Sequence, residues 1–222
     1  MSETAERAAT TVALFDLDGV LVRGDTFTRL LRRHLSGSLS RTVLVVPVLP
    51  LTAIPVLRPT ATRLIMRLAL IGWDPARFRA QAEAFGRELA ADHGVAIPEA
   101  VAAARSHGGS GGRVVVVTAC EHDLARAVLD ALGLADVELV ASRLGWGRFG
   151  VGRGSLHNYG REKPRQLAAY GVLPPWDHAY GDSPADLPML AGARRAVLVN
   201  PDQDLVIRAR RELGSRLEIV RW

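Results

Sequence analysis

The sequence has 222 residues and a net charge of +5, and 48% of its residues are hydrophobic but only 5% are aromatic. That length suits one domain of moderate size, or a core domain with a smaller insertion, and the single cysteine excludes an internal disulfide and a metal site built from several cysteines. The positive charge indicates an anionic partner, such as a phosphorylated substrate or an acidic membrane face, whereas the few aromatic residues and the lack of a clustered basic tract argue against nucleic acid.

Short apolar runs that end in polar residues recur along the chain after an acidic, polar start. The start, residues 1–11, has no apolar stretch, so we expect no secretory signal and a reducing, cytoplasmic setting. The strands and helices that these runs predict alternate, which indicates an α/β fold: a Rossmann-like parallel sheet with helices on both faces. Ligands of such sheets bind beyond the carboxyl ends of the strands. The predicted strands are residues 12–17, 113–118, 136–141, 178–183 and 196–201.

Two stretches break this alternation. Residues 25–95 lack strand patterns and are mostly helix-patterned, apart from a Pro-rich apolar stretch at 42–57. We therefore predict an all-helical cap at 24–95, inserted between two parts of a core at 1–23 and 96–222. Glycine-rich residues 142–156 predict a hairpin or flap, and residues 106–113 predict a flexible connector back into the core.

Asp16 and Asp18 flank one residue at the end of the first predicted strand. Side chains at i and i+2 of a strand point the same way, and two carboxylates this close repel unless a cation lies between them or one holds a proton. The pair suits Mg²⁺, which takes oxygen ligands, or a division of labour in which one carboxylate attacks phosphorus and the other handles protons. The alternative is a polar strand end with an aspartate that caps a helix.

Polar residues also follow two other predicted strands. Asp182 and Asp186 lie four apart on a loop and an early helical turn, so both can face one site, although a capping aspartate at a Pro-containing helix start explains the pattern too. Thr118 closes its strand, where its hydroxyl and the backbone N–H groups that follow, from Ala119 onward, can hold phosphate oxygens. Taken singly, neither feature identifies a site.

Lys163 is the only lysine among 28 basic residues. Lysine carries a compact point charge on a flexible stem, whereas arginine presents a planar fork that prefers bidentate partners. A single lysine in a chain otherwise supplied with arginine indicates a tight, polar position for one ammonium group. Chance survival of this lysine is the alternative.

Other reactive residues give weaker signals. Cys120 needs a histidine partner or a lowered pKa to act as a nucleophile, and although His122 is close in sequence, the aspartates make that role unnecessary. The six histidines show no HxH or HxxxH spacing, so we expect no zinc site. The arginine-rich stretch at 29–34 is typical of a solvated helix face, with anion binding as the alternative.

The order of these elements resembles the four-motif signature of the haloacid dehalogenase superfamily of phosphatases: DLDGV, a strand that ends in threonine, a lysine, and GDSPAD. The resemblance implies that Asp16 is the nucleophile that forms an aspartyl-phosphate and that Asp18 is the general acid and base. It implies that Thr118 binds the transferring phosphoryl group. Lys163 would neutralise the charge of the nucleophile and the phosphate, which is a task for a point charge.

The same resemblance implies a cofactor and a branch. Mg²⁺ would be bound by Asp16, the backbone carbonyl of Asp18 and Asp182, with Asp186 supporting that site. A helical insertion after the first motif resembles the phosphoserine-phosphatase-like branch, in which an acidic residue seven positions after the second aspartate faces the substrate. Asp25 occupies that position here. The residues at 118–120, Thr-Ala-Cys, differ from the Ser-Gly-Gly type usual in phosphoserine phosphatases.

A bacterial lipid-phosphatase branch, the C-type phosphatidylglycerophosphatases, is similar in further stretches. These are RLLRRH, VLVVPVLPLTAIPVL, VVVVT, VASRL and GREK. The similarity implies a lipid phosphate, such as phosphatidylglycerophosphate, as the substrate. A soluble phosphoserine-like phosphatase and a non-catalytic basic module that binds membrane or nucleic acid remain as alternatives.

The apolar stretch bears on that choice. Residues 42–57 carry no charge between Arg41 and Arg58, but their three prolines and their length, below about 20 residues, argue against a spanning helix. We expect residues 42–58 to form a short helical hairpin on an anionic membrane surface, at the inner face of the cell membrane. The alternative is that the stretch forms the buried core of the cap.

Overall fold

The computed structural model describes residues 10–92 and 94–222 of the chain. The acidic start at residues 1–9, for which no secretory signal is expected, therefore lies outside the described residues. The strands are β1 (Val12–Phe15), β2 (Arg113–Glu121), β3 (Glu138–Ser142), β4 (Trp146–Gly147), β5 (Gly150–Val151), β6 (Trp176–Gly181), β7 (Ala193–Val199) and β8 (Leu217–Val220). The α-helices are α1 (Thr26–Ser36), α2 (Leu39–Val45), α3 (Arg58–Ala69), α4 (Pro75–Ala91), α5 (Pro98–Gly109), α6 (His122–Ala131), α7 (Glu162–Ala169), α8 (Leu187–Leu190) and α9 (Gln203–Leu213).

Six strands form one parallel sheet in the order β3-β2-β1-β6-β7-β8. Alternate residues of β1 enter two different apolar clusters, because successive side chains of a strand point to opposite faces. Phe15 packs in a cluster with α4, α5 and α6, and Leu14 packs in a cluster with α7, α8 and α9. Helices therefore cover both faces, and the predicted α/β fold is confirmed.

The predicted strands are all present, with shifted ends, and the hairpin at 142–156 is confirmed by the antiparallel pair β4 and β5. β8 has no counterpart among the predictions, because it is a four-residue strand at the edge of the sheet and none of its residues is fully buried. The prediction of a flexible connector was wrong for residues 106–109, which complete α5. The two glycines there are tolerated at the helix end, where the chain turns towards β2.

Every regular element described between β1 and β2 is helical. α2 and the 3₁₀ segment Val46–Ala53 lead away from the core and α3 returns, so the three form a helical hairpin. At its base Nη1 of Arg41 donates to the carbonyl oxygens of Ala69 and Ile71, both at 2.8 Å. At its tip Nε of Arg58 donates to the carbonyl oxygen of Thr52 at 3.0 Å.

The hairpin exposes its apolar residues. Val45 is the only buried side chain between residues 42 and 57, so the alternative that this stretch is a buried core is wrong. Within residues 10–92 and 94–222, no helix is long and apolar enough to cross a membrane. The exposed residues, which we call the apolar hairpin surface, are Leu39, Val43, Leu44, Val46, Leu49, Leu51, Ile54, Val56 and Leu57.

Candidate active site

The loops after β1 and β6, together with Thr118 and Ala119 near the end of β2, line a cavity of about 270 Å³ at the carboxyl edge of the sheet. The strand order brings these three strand ends side by side, as expected for ligand sites in parallel sheets. Seven of the eight residues proposed from the sequence line the cavity: Asp16, Asp18, Asp25, Thr118, Ala119, Lys163 and Asp182. The eighth, Asp186, lies fully buried behind them.

Lys163 lies in the first turn of α7 and is 1% exposed. Its Nζ is 3.1 Å from Oδ1 of Asp16 and 2.6 Å from Oδ1 of Asp186. Burial disfavours the ammonium form, but the two carboxylates outweigh burial and raise the pKa of Lys163 above its usual value. The lysine is therefore a fixed positive charge between two buried acids.

Asp186 organises the loop that follows β6. Its Oδ1 accepts from Lys163, and its Oδ2 accepts from the backbone N–H groups of Asp182 and Ser183, each at 3.1 Å, and from Oγ of Ser183 at 2.9 Å. Gly181 makes this possible, because a Cβ there would lie 2.5 Å from Cβ of Asp186. With both oxygens occupied, Asp186 suits a supporting role better than direct contact with a ligand.

Asp16 is the first residue after β1 and is almost fully buried. Its Oδ1 accepts from the backbone N–H of Leu17 at 2.8 Å and faces Lys163, while no hydrogen bond within the described residues ends on its Oδ2. Burial raises the pKa of Asp16 well above its usual value; Lys163 opposes the shift, and neighbouring carboxylates add to it. One oxygen of Asp16 is thus held in place and the other is available for chemistry.

Asp18 is held by a residue that the sequence did not single out. Its Oδ1 accepts from the backbone N–H of Thr26 at 2.9 Å and from the Thr26 hydroxyl. Burial raises the pKa of Asp18 to about 6, and the two hydrogen bonds from Thr26 limit the shift. A carboxyl group with that pKa can both donate and accept a proton near neutral pH.

Asp182 approaches the backbone of the first loop. Gly19 has φ of +81°, and a Cβ there would lie 1.8 Å from Oδ2 of Asp182, so only glycine fits. Burial, and then the charge of Asp186, raise the pKa of Asp182 to about 7. One oxygen from each of Asp16, Asp182 and Asp186 lies within 4.8 Å of the others, and hard oxygen donors this close are what Mg²⁺ selects.

The remaining predicted positions have structural partners as well. Oγ1 of the buried Thr118 accepts from the backbone N–H of Cys120 at 3.0 Å, and Asn158 donates to the Thr118 carbonyl at 3.2 Å. Burial raises the pKa of Cys120 well above its usual value, which disfavours a thiolate. Oδ1 of Asp25 caps α1 by accepting from Thr28 N at 2.6 Å, so Asp25 both borders the cavity and begins a helix.

Three further residues belong to the site. Thr26 positions Asp18, and Ser183 and Tyr159 line the cavity. Ser183 is part of the GDS motif, so the sequence carried a signal for it, whereas Thr26 comes eight residues after Asp18 in a helix start and Tyr159 lies in a loop without a pattern.

Comparison with known proteins gives a family and a fold. The model of the haloacid dehalogenase-like hydrolases matches residues 13–191 of this chain. A protein of unknown function from Bordetella pertussis Tohama I is 20% identical, with a TM-score of 0.71 over 95% of this chain and 98% of its own. None of the curated proteins matches this chain by sequence.

Two further solved structures share the fold. A phosphoserine phosphohydrolase-like protein from Francisella tularensis subsp. tularensis SCHU S4 is 13% identical, with a TM-score of 0.61 over 94% of each chain. The phosphoserine phosphatase of T. onnurineus is 19% identical, with a TM-score of 0.54 over 95% of this chain and 89% of its own. At such identities the likeness establishes the fold alone.

Proposed function

This chain belongs to the haloacid dehalogenase-like hydrolases, and from that premise we propose that it is a Mg²⁺-dependent phosphatase that forms an aspartyl-phosphate and acts on a lipid phosphate. The observation that carries the phosphatase part is the position of Asp16. Its Oδ1 is held beside Lys163 at 3.1 Å while its Oδ2 is unbonded within the described chain, in the cavity that Asp18 and Thr118 also line.

The first step transfers the phosphoryl group to the protein. Oδ2 of Asp16 attacks phosphorus, the bond between phosphorus and the ester oxygen breaks, and the departing oxygen takes a proton from Asp18. Lys163 stabilises the charge that develops on the phosphoryl oxygens, and Thr118 with the backbone that follows it orients them. A pKa of about 6 for Asp18 is compatible with proton donation near neutral pH.

The second step regenerates the carboxylate. Water attacks the phosphorus of the aspartyl-phosphate and gives a proton to Asp18, the bond between phosphorus and Asp16 breaks, and inorganic phosphate leaves. Asp18 ends the cycle protonated, as it began. The backbone N–H and the hydroxyl of Thr26, which both donate to Oδ1 of Asp18, would hold Asp18 in place in both steps.

The acidic residues of the site fit a divalent cation. Asp16 and Asp182 offer carboxylate oxygens, the backbone of Asp18 offers a carbonyl, and Asp186 supports them. Lys163 is the one basic residue that lines the cavity within the described part of the chain. Mg²⁺ bound there would neutralise the excess negative charge and polarise the phosphoryl group. The raised pKa of Asp182 also fits a cation, because the burial and the nearby carboxylates that favour a bound proton equally favour a bound metal ion.

The lipid part of the proposal is supported by the helical insertion. We assign residues 24–95 to a cap over the core at 1–23 and 96–222, with Asp25 at the border where it faces the substrate. Residues 26–73 contain seven arginines and no acidic residue, and since the whole chain carries +5, the rest carries −2. A basic segment that exposes the apolar hairpin surface is complementary to an anionic membrane, such as the inner face of the cell membrane.

A panel of phosphomonoesters tests this function. We expect Mg²⁺-dependent release of phosphate from p-nitrophenyl phosphate and from phosphatidylglycerophosphate in vesicles, with EDTA abolishing both and phosphoserine a poor substrate. Efficient hydrolysis of phosphoserine, with none of the lipid, would favour the soluble alternative. No release from any ester with Mg²⁺ present would favour a non-catalytic binding module.

A further inference from the structure

A second cavity lies within the helical insertion, away from the strand ends. It measures about 330 Å³ and is lined by residues of α1, α2 and α4 and of the α1–α2 and α3–α4 connections. Its walls include Arg33, Arg41, Arg77, His34 and Trp73. We propose that this cavity, which we call the insertion pocket, binds the phosphate group of a ligand that is not the substrate undergoing hydrolysis.

The charge of the insertion pocket is not balanced by its own walls. Among the residues that the structure describes, none that lines it is acidic. Arg33 is the exception to the imbalance, because it pairs with Glu88, with Nη2 at 2.6 Å from Oε1. Arg41 uses Nη1 on two backbone carbonyls, and Arg77 stacks over the ring of Trp73 with 5.2 Å between Cζ and the centroid. Neither Arg41 nor Arg77 forms an ion pair within the described residues.

Two polar atoms on the walls are unpartnered. Nε1 of Trp73, a residue that is 3% exposed, and Nε2 of His34 are buried without a hydrogen bond in the part of the chain that the structure describes. Buried polar groups are normally paired, and an unpaired one marks a place where a ligand or water completes the structure. Both belong to the same cavity as the two unneutralised guanidinium groups.

The arrangement favours phosphate over a carboxylate. Arg41 comes from α2 and Arg77 from α4, so the donors approach from separate elements, and a tetrahedral anion offers oxygens in several directions. Burial, and then the proximity of Arg77, lower the pKa of Arg41, as expected where like charges face each other without an anion. Of the arginines at 29–34, Arg33 lines the pocket but is already paired with Glu88, so anion binding by that stretch stays a prediction.

The phosphate can belong to a lipid headgroup or be free in solution. Arg41 lies in α2, which also carries part of the apolar hairpin surface. A membrane that contacts this surface would therefore bring its lipid headgroups close to Arg41. That source rests on the membrane contact under the proposed function, whereas free phosphate does not. The phosphate-binding inference itself stands apart from catalysis, because Arg77 does not line the cavity at the strand ends.

The test uses the indole N–H signal of Trp73 in the full chain, assigned by Trp73→Phe, during titration with inorganic phosphate at constant ionic strength. We expect a saturable shift that weakens at least tenfold in affinity in Arg77→Gln and persists in Arg87→Gln, a matched change of an exposed arginine on the same helix. A Trp73 signal that does not move, that moves equally in Arg77→Gln, or that follows chloride as well as phosphate would overturn the inference.

A flotation assay separates the two sources. If Arg77→Gln binds vesicles of phosphatidylcholine and phosphatidylglycerol more weakly than Arg87→Gln, the pocket takes a headgroup. If both variants float alike while only Arg77→Gln loses the phosphate-induced shift, the pocket takes free phosphate. Both variants should hydrolyse p-nitrophenyl phosphate normally, so a wild type that shows the Trp73 shift without hydrolysis refutes the proposed function and leaves the pocket intact.

Discussion

Two regions depart from the usual rule that apolar side chains are buried and ionisable ones exposed: the cavity at the carboxyl edge of the sheet, which we call the strand-end cavity, and the apolar hairpin surface. At the strand ends, Asp16, Lys163 and Asp186 are ionisable and buried. On the hairpin, Leu39 and Val56 are apolar and more than 80% exposed. Buried ionisable groups and a group of exposed apolar side chains on one segment are both unusual in globular proteins, and each points to a function rather than to stability.

The two regions differ in whether other residues of the chain pair with the buried ionisable groups or cover the exposed apolar ones. Lys163 contacts both buried acids, and Asp186 accepts hydrogen bonds at both oxygens, so the strand ends are largely complete within the chain. The leucine, isoleucine and valine side chains of the apolar hairpin surface stay exposed, because no described residue covers them. The strand ends are therefore preorganised by the chain itself, whereas the hairpin surface is the part to which we assign the proposed membrane contact.

The largest loss of activity is expected from a change of Asp16 in the strand-end cavity. Asp16→Asn should lower turnover at least about 10³-fold, because an amide cannot attack phosphorus, while the fold survives. The melting temperature should be unchanged or higher, since one of several crowded carboxylates is removed. Phosphate release and thermal melting measure both effects, with Asp204→Asn, an exposed residue of α9, as control. Activity above a trace in Asp16→Asn would refute the nucleophile assignment.

A smaller loss is expected from Lys163→Arg. The charge is kept, but a planar guanidinium cannot replace an ammonium whose Nζ lies 3.1 Å and 2.6 Å from two carboxylates in a fully buried position. We expect turnover to fall about 10²-fold. Steady-state kinetics on p-nitrophenyl phosphate measure this, with Arg165→Lys on the exposed face of α7 as the matched exchange. Near-normal kinetics in Lys163→Arg would support chance survival of the lysine.

The strand-end cavity could be predicted from the sequence in its main residues, but not in full. Asp16 and Asp182 directly follow strands, and Thr118 ends the apolar run of β2. Those runs are long enough to recognise, and parallel strands bring their carboxyl ends together, so the convergence of the three residues was predictable. Thr26 was not, because a hydrogen bond from a helix start to Asp18 leaves no periodic pattern. β8 was missed because its half-buried run at the sheet edge is short.

The apolar stretch at 42–57 was ambiguous in principle. A run of leucine, valine and proline predicts burial, but sequence does not say whether the burying surface belongs to the same chain. Only the return of α3 beside the 3₁₀ segment shows that one side is covered and the other is not. The insertion pocket was equally hidden, since Arg41 and Arg77 lie 36 positions apart in sequence.

Mutations of the apolar hairpin surface should affect membrane binding and leave the stability of the fold unchanged. Leu39, Val43 and Val56 are 81%, 63% and 86% exposed, so changing all three to serine should leave the melting temperature within about 2 °C of wild type. Binding to anionic vesicles should fall by a factor of about 10 to 100, because each apolar contact with the membrane is worth roughly 1 kcal/mol or less. Flotation measures this, with Ile207→Ser, another exposed apolar residue, as control. Unchanged flotation of the triple variant would refute the membrane contact.

The smallest effect is expected on stability, from a change of Glu121, a buried acid that does not line the strand-end cavity. Glu121 ends β2 and caps α6, accepting from Asp123 N at 2.7 Å and Leu124 N at 3.1 Å, yet burial raises its pKa to about 7. A carboxyl whose folded pKa is raised stabilises the fold below its unfolded pKa of about 4.5, and that contribution is lost as pH rises through 7. Glu121→Gln keeps an acceptor without charge, so it should melt higher than wild type at pH 8, by the equivalent of about 1 kcal/mol, with a smaller gap at pH 5. Glu83→Gln, on the exposed face of α4, should show no such trend. A Glu121→Gln variant that is less stable than wild type at pH 8 would mean that the helix N-terminus compensates the charge in full.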